Sequence, residues 1–159
     1  MNGPQDPAIE LRPSSPLDPQ VQALIQHHLA EMHEASPPGT VFALDTSGLS
    51  EPGVSLWGAW AGDRLAGVGA LKQHNGTLGE IKSMRTHPAF LRRGVAQLLL
   101  TAIVAAARSR GLQQLSLETG RGPVFEAAIR LYERNGFVEG DRFADYPKND
   151  FSRFFHLTL

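Results

Sequence analysis

The sequence predicts an α/β (α+β) fold in which one mixed, twisted sheet of about seven strands carries helices on both faces. Three observations predict it. Runs at residues 54–61, 64–72 and 78–86 alternate well enough for strands, and the turn signals Gly62-Asp63 and His74-Asn75-Gly76 separate them. A long apolar pattern at helical spacing, from about Gly94 to Arg110, follows the third run almost at once. The chain then reads strand, helix, strand, strand. Three strands followed by a βαβ unit require a mixed sheet.

Each element has a local reason. Ala8 to Arg12 is a short strand candidate ended by Pro13, after a loose polar terminus over residues 1–6. Asp18-Pro19 is an N-cap followed by proline at the first helical position. Val21, Leu24, Ile25, His28, Leu29 and Met32 then form one apolar stripe, and Pro37-Pro38-Gly39 ends that helix near residues 34–36. Residues 41–44 have no clear pattern, and 47–53 read as a turn-rich loop. Gly111, preceded by arginines, stops the central helix. Leu112 to Thr119 is the next strand, and Val124 to about Asn135 the next helix, with Gly136 as its stop. Phe137 to Glu139 and Ser152 to Leu159 are the last strands, joined by a polar loop with aromatics.

Composition sets the outer limits. The 159 residues fit a single domain over 1–159, with 42% hydrophobic and 19% charged residues as in ordinary globular chains. A net charge of −1 argues against nucleic acid or an anionic membrane as partner. There is no cysteine, which excludes disulfides, thiolate metal sites and a thiol nucleophile, and agrees with a cytoplasmic location. No signal peptide is read at the start, and the longest apolar run, within residues 97–107, is too short to span a bilayer.

The chemistry begins where the strand at 78–86 gives way to the long helix. A first helical turn leaves backbone N–H groups without partners at the positive end of the helix dipole. Here Arg92, Arg93, Gly94, Val95, Ala96 and Gln97 would converge on one point, with Gly94 and Ala96 permitting close approach. That is a seat for phosphates, or else Gly94 merely opens a helix and the arginines are solvated. It is neither a P-loop nor a dinucleotide fingerprint.

The wider pattern resembles the GNAT superfamily of acyl-CoA-dependent N-acyltransferases. A strand ending in a small-residue loop leads to a long helix, a strand, and a helix ending Leu131-Tyr132-Glu133-Arg134-Asn135-Gly136-Phe137. The likeness covers nearly the whole chain and is most specific from Ile81 to Phe137. The superfamily's phosphate motif, Arg/Gln-x-x-Gly-x-Gly/Ala, is met at Gly94 and Ala96, while Leu91 stands at its first position. Phe125 replaces an asparagine often found seven residues before the tyrosine. The runs Leu117-Glu118-Thr119-Gly120 and Phe143-Ala144-Asp145-Tyr146 resemble a small bacterial subgroup.

The resemblance implies a mostly antiparallel GNAT-like sheet, acetyl-CoA as co-substrate, and an acceptor amine of a small molecule. It implies that the central strands part after Met84, with the pantetheine arm against the backbone of Met84, Arg85 and Thr86. Tyr132 aligns with the tyrosine that protonates the leaving sulfur. For the base, Glu80 lies where several members keep a glutamate, unless it forms a surface pair with Lys82 on the same face. Glu118 is the other candidate, being opposite the face of Leu115 and Leu117. In this fold His28, Met32 and Ser36 would wall the acceptor pocket, with Arg121, Phe143 and Tyr146 closing its other side. Phe151, Phe154 and Phe155 are candidates for a homodimer interface. His27, His28, Glu31, His33 and Glu34 invite a metal reading, but His28 lies on the apolar stripe and the others face solvent, so no metal is expected. A non-catalytic acyl-CoA-binding module and a protein N-terminal or lysine acetyltransferase are the competing functions.

Overall fold

The structure is a computed structural model that describes residues 7–159, so the terminus read as loose (1–6) lies outside the described residues. The strands are β1 (Ile9–Pro13), β2 (Val54–Ala61), β3 (Arg64–Gln73), β4 (Leu78–Thr86), β5 (Gln114–Thr119), β6 (Val138–Gly140) and β7 (Arg153–Thr158). The helices are α1 (Pro19–Ala35), α2 (Thr46–Leu49), α3 (Val95–Ser109) and α4 (Pro123–Arg134). All seven strands join one sheet in the order β1-β2-β3-β4-β5-β7-β6, antiparallel except for the β4–β5 pair.

The two faces carry different cores. The stripe of α1 buries Val21, Leu24 and Ile25 against Leu56, Leu65, Val68 and Ala70 on one face. Asp18 caps this helix by accepting from the N–H groups of Gln20 and Val21. On the other face Leu100 and Ile103 of α3 and Ile129 of α4 pack with Leu71, Ile81, Leu115 and Leu117. The segment read as a loop at 47–53 contains α2, because the Asp45 carboxylate accepts from the Gly48 N–H and starts one helical turn whose Leu49 is buried.

Strand β3 is rich in glycine because α3 crosses it closely. A Cβ at Gly67 would lie 2.7 Å from Val95 Cγ1 and 2.9 Å from the Arg85 carbonyl oxygen. The second contact is backbone and cannot rotate away. Gly67→Ala is therefore expected to lower stability by about 1–3 kcal/mol in a denaturant titration; an unchanged midpoint would show that α3 can shift.

Two irregularities shape the functional end. In β3–β4 the register slips between Val68↔Arg85 and Ala70↔Lys82, a bulge at which Ser83 takes φ +55°. Between β4 and β5 only three pairs form, ending at Glu80↔Ser116. The strands thus part after Glu80, earlier than the expected Met84. Phe154 and Phe155, expected at a dimer interface, are buried in the chain's own core instead, since β7 runs between β5 and β6.

Candidate active site

Where β4 and β5 part, a cleft of about 220 Å³ opens. Its walls come from α1, the segment between α1 and α2, the bulged half of β4, the end of β5, and α4. Of the expected residues, His28, Met32, Ser36, Glu80, Met84, Arg85, Glu118 and Tyr132 line it. The structure brings these together from four elements.

Tyr132 sits in the last turns of α4, 5% exposed, with its ring edge-on to Phe137 at 5.7 Å. No hydrogen bond to its hydroxyl forms within the described residues. Burial pushes its phenol up from the ordinary tyrosine value, so at neutral pH it carries its proton and can only donate or accept as O–H.

Glu118 is held by the Ser152 hydroxyl, which donates to its Oε2 at 2.7 Å. Burial pushes its carboxyl up to about 7; the Ser152 hydrogen bond and Lys82 oppose that, and the Glu80 charge adds to it. Near neutrality this group is divided between its two protonation states, as a general base needs.

Glu80 is different. It is 2% exposed, which rules out the surface pair with Lys82 weighed from sequence. His74 Nε2 lies 2.8 Å from its Oε1, the Tyr146 hydroxyl donates to its Oε2, and Lys82 Nζ is 3.5 Å away. Lys82 also donates to the Tyr146 Oη at 2.8 Å and to the Phe42 carbonyl at 3.0 Å. This network fastens the 41–44 segment and the 141–150 loop to the sheet and engages both carboxylate oxygens of Glu80.

The network also corrects the far side of the expected acceptor pocket. Tyr146, Phe143 and Arg121 do not line the cleft. The hydroxyl of Tyr146 is spent on Glu80, and its ring stacks edge-on with Phe42, Phe143 and Phe154. Phe143 is buried in that aromatic group. Arg121 is exposed and donates from Nε to the Asp150 carbonyl. Phe42, Lys82 and Glu31 line the cleft in addition, and sequence reasoning gave them no role there. No signal marks Phe42, which sits in a segment without periodicity; Glu31 is one turn from His27, a spacing read only as a metal motif.

On the α1 wall, Arg85 Nη2 donates to Glu31 Oε2 and lies 3.2 Å from His27 Nε2. The Arg85 hydrogen bond holds the Glu31 carboxyl below the usual range. Of the helix residues that invited a metal reading, His27 and Glu31 thus face a cation. Among the described residues no three histidine, aspartate or glutamate side chains gather as a metal would require.

The residues expected to seat phosphates lie at the mouth of α3. Gly94 occupies its N-cap at φ +76° with no side-chain cap, so the N–H groups of Val95, Ala96 and Gln97 have no intrahelical partner. Arg92 is also left-handed, at φ +63°. The Arg93 guanidinium lies over the Phe90 ring at 5.1 Å. Thr86 pairs with Gly67 at the end of β4. Uncapped donors, left-handed residues at Arg92 and Gly94 and a strand edge freed of its neighbour have the shape to receive a long ligand with a diphosphate at one end.

Known proteins agree with this architecture. A family model described as Acetyltransferase (GNAT) family matches residues 21–137. An Escherichia coli K12 protein, YedL, described as an uncharacterized N-acetyltransferase, is 48% identical over 141 residues, 89% of each chain. A Bacillus subtilis 168 protein of the same description, YsnE, is 47% identical over 88% of this chain and 93% of its own. Among solved structures, a putative acyl-CoA N-acyltransferase of Klebsiella pneumoniae superposes with a TM-score of 0.77 at 27% identity, over 95% of this chain and 97% of that one. No helix among the described residues is long and apolar enough to cross a membrane. A match over most of the chain, on a sheet that parts above an uncapped helix, places this protein in the acetyltransferase (GNAT) family as an acetyl-CoA-dependent acyltransferase.

Proposed function

We propose that this protein is an N-acetyltransferase that acetylates the primary amine of a small molecule by direct attack in a ternary complex. The observation that carries the reading is that Tyr132 and Glu118, a proton donor and a proton acceptor, line one cleft. When bound, acetyl-CoA supplies a thioester carbonyl as electrophile and a thiolate as leaving group. The N–H groups of Val95, Ala96 and Gln97 would hold its diphosphate, with Arg92 and Arg93 beside them. The freed edge of β4 at Met84, Arg85 and Thr86 would hold the pantetheine arm, and a backbone N–H there would polarise the carbonyl.

Glu118 takes the proton that the amine sheds as its nitrogen bonds to the acyl carbon. Tyr132 gives a proton to the sulfur as the carbon–sulfur bond breaks. The chain has no cysteine, so no thiol of its own can carry the acyl group. Proximity in one cleft supplies much of the rate. Glu118 is preferred to Glu80 because the Glu80 carboxylate is already engaged by His74, Tyr146 and Lys82. A small acceptor is favoured over a protein tail because Lys82 pins the Phe42 carbonyl and closes the 41–44 segment along the cleft.

The reading has a pH signature. Glu118 works ionised, so kcat/KM for an amine is expected to climb as pH rises through about 7. Glu118→Gln should flatten that limb and lower turnover by about 10- to 100-fold; a limb that persists would remove the assignment. Stability moves in the opposite sense. A raised carboxyl contributes stability present below the unfolded-state value and lost as pH rises through about 7. Glu118→Gln should therefore be more stable than the parent at pH 8, by about 1–3 kcal/mol, and about equal to it near pH 4.

A further inference from the structure

Among the described residues, three buried side-chain polar atoms have no hydrogen-bond partner: His28 Nδ1, Ser83 Oγ and Arg85 Nε. All three residues line the same cleft, on the wall made by α1 and the bulge of β4. His28 and Ser83 are each only 8% exposed. An unpaired buried polar atom costs about 1–3 kcal/mol, and native proteins carry few of them. Three on one wall of one cleft call for a ligand group.

Their chemistry limits what that group is. The guanidinium Nε–H can only donate. Its plane is fixed because Nη2 is engaged by Glu31 and His27, which leaves Nε for something else. The Ser83 hydroxyl can donate as well. Burial, with Arg85 next, holds His28 down at about 4, so its ring is neutral and can present a proton on Nδ1. Three donors, one of them on a guanidinium that Glu31 also meets, with Lys82 lining the same cleft, match a planar monoanion that accepts several hydrogen bonds. A dianion such as a phosphate monoester would meet Glu31, Glu80 and Glu118 in the same cleft. A neutral carbonyl would leave donors over.

We infer that His28, Ser83 and Arg85 form a carboxylate seat, and that the acceptor is an amino acid whose amine points toward Glu118. The inference rests on the acyl-transfer reading for the direction of the amine; the seat itself does not depend on it. Met32, Phe42 and Phe151 line the same cleft and suit an apolar side chain on that amino acid.

The test compares L-phenylalanine and L-methionine with their decarboxylated amines, phenethylamine and 3-(methylthio)propylamine. Binding is measured by calorimetry on the full protein saturated with CoA, and turnover by thiol release from acetyl-CoA. An amino acid is expected to bind and react at least about 100-fold better than its own amine, since a site built to pair a polar group rejects the analogue that lacks it. Arg85→Gln should shrink that ratio by about tenfold or more, and Ser83→Ala by several fold. The ratio is taken within one variant, so a general loss of folded protein does not mimic it, and Ser83→Ala serves if Arg85→Gln does not fold. Amines that bind and react as well as their amino acids, or amino acids that do not bind at all, would overturn the seat while leaving the acyltransferase reading intact. Carboxylate-selective binding lost in the variants, without any turnover, would uphold the seat and count against acyl transfer.

Discussion

Tyr132→Phe is expected to lower kcat by about 100-fold or more while acetyl-CoA binds as before. The substitution removes one oxygen and keeps the ring, whose edge-on contact with Phe137 and buried position at the end of α4 hold the helix in place. Folding should therefore survive. What is lost is the phenol of the cleft, which the chain's other tyrosine cannot replace, because Tyr146 lies outside the cleft and its hydroxyl serves Glu80. Burial raises the Tyr132 phenol, which keeps it protonated across the working range but makes it a reluctant acid until a thiolate forms beside it. A thiolate is itself a weak base, so the loss should be smaller with acyl donors whose leaving thiols are more acidic. Single-turnover kinetics with acetyl-CoA check the prediction, and an unchanged rate would remove Tyr132 from the chemistry.

The second large effect concerns the cofactor end. Gly94→Glu should raise the dissociation constant for acetyl-CoA by about 100-fold or more, with a cooperative thermal transition retained. A Cβ at Gly94 meets nothing within 4 Å, so no clash is involved. The cost has two parts. The φ of +76° strains any side chain by about 1–2 kcal/mol. The new carboxylate would also occupy the N–H groups of Val95, Ala96 and Gln97 and repel a diphosphate. Gly94→Ala carries the strain without the charge and should weaken binding much less. Equal losses in the two variants would mean that the turn, not the anion seat, is what matters.

How far the sequence reaches is visible in particular residues. The bounds of β2 and β4 and the Asp18 cap of α1 follow from alternation and from Asp-Pro chemistry, both local properties. The places of Gly94 before a helix and of Glu118 near a strand end are local properties too, whereas Tyr132 is singled out only by the family resemblance. The parting point of β4 and β5 was placed too late: their pairing ends at Glu80↔Ser116, and the irregularity in β4 beyond it is carried by Ser83, a residue that does not advertise a left-handed backbone. Phe143, Tyr146 and Arg121 were misplaced because they sit in or beside loops whose course is set by long-range bonds to Glu80 and Asp150. Glu80 could not be separated from a surface pair, since it is buried and bonded to Tyr146, 66 residues further along the chain. Local rules find the proposed cofactor end, built from consecutive residues. The proposed acceptor end is built from distant ones.

The central claim is that the cleft transfers an acyl group and does not merely bind its carrier. The direct measurement is incubation with acetyl-CoA and the amine and amino-acid panel, with free thiol and acetylated product both quantified by mass spectrometry. One thiol should be released for each acetylated amine, at a rate far above that of Tyr132→Phe. Tight binding of acetyl-CoA with thiol release at the uncatalysed rate, and no acetylated amine across the panel, would contradict it.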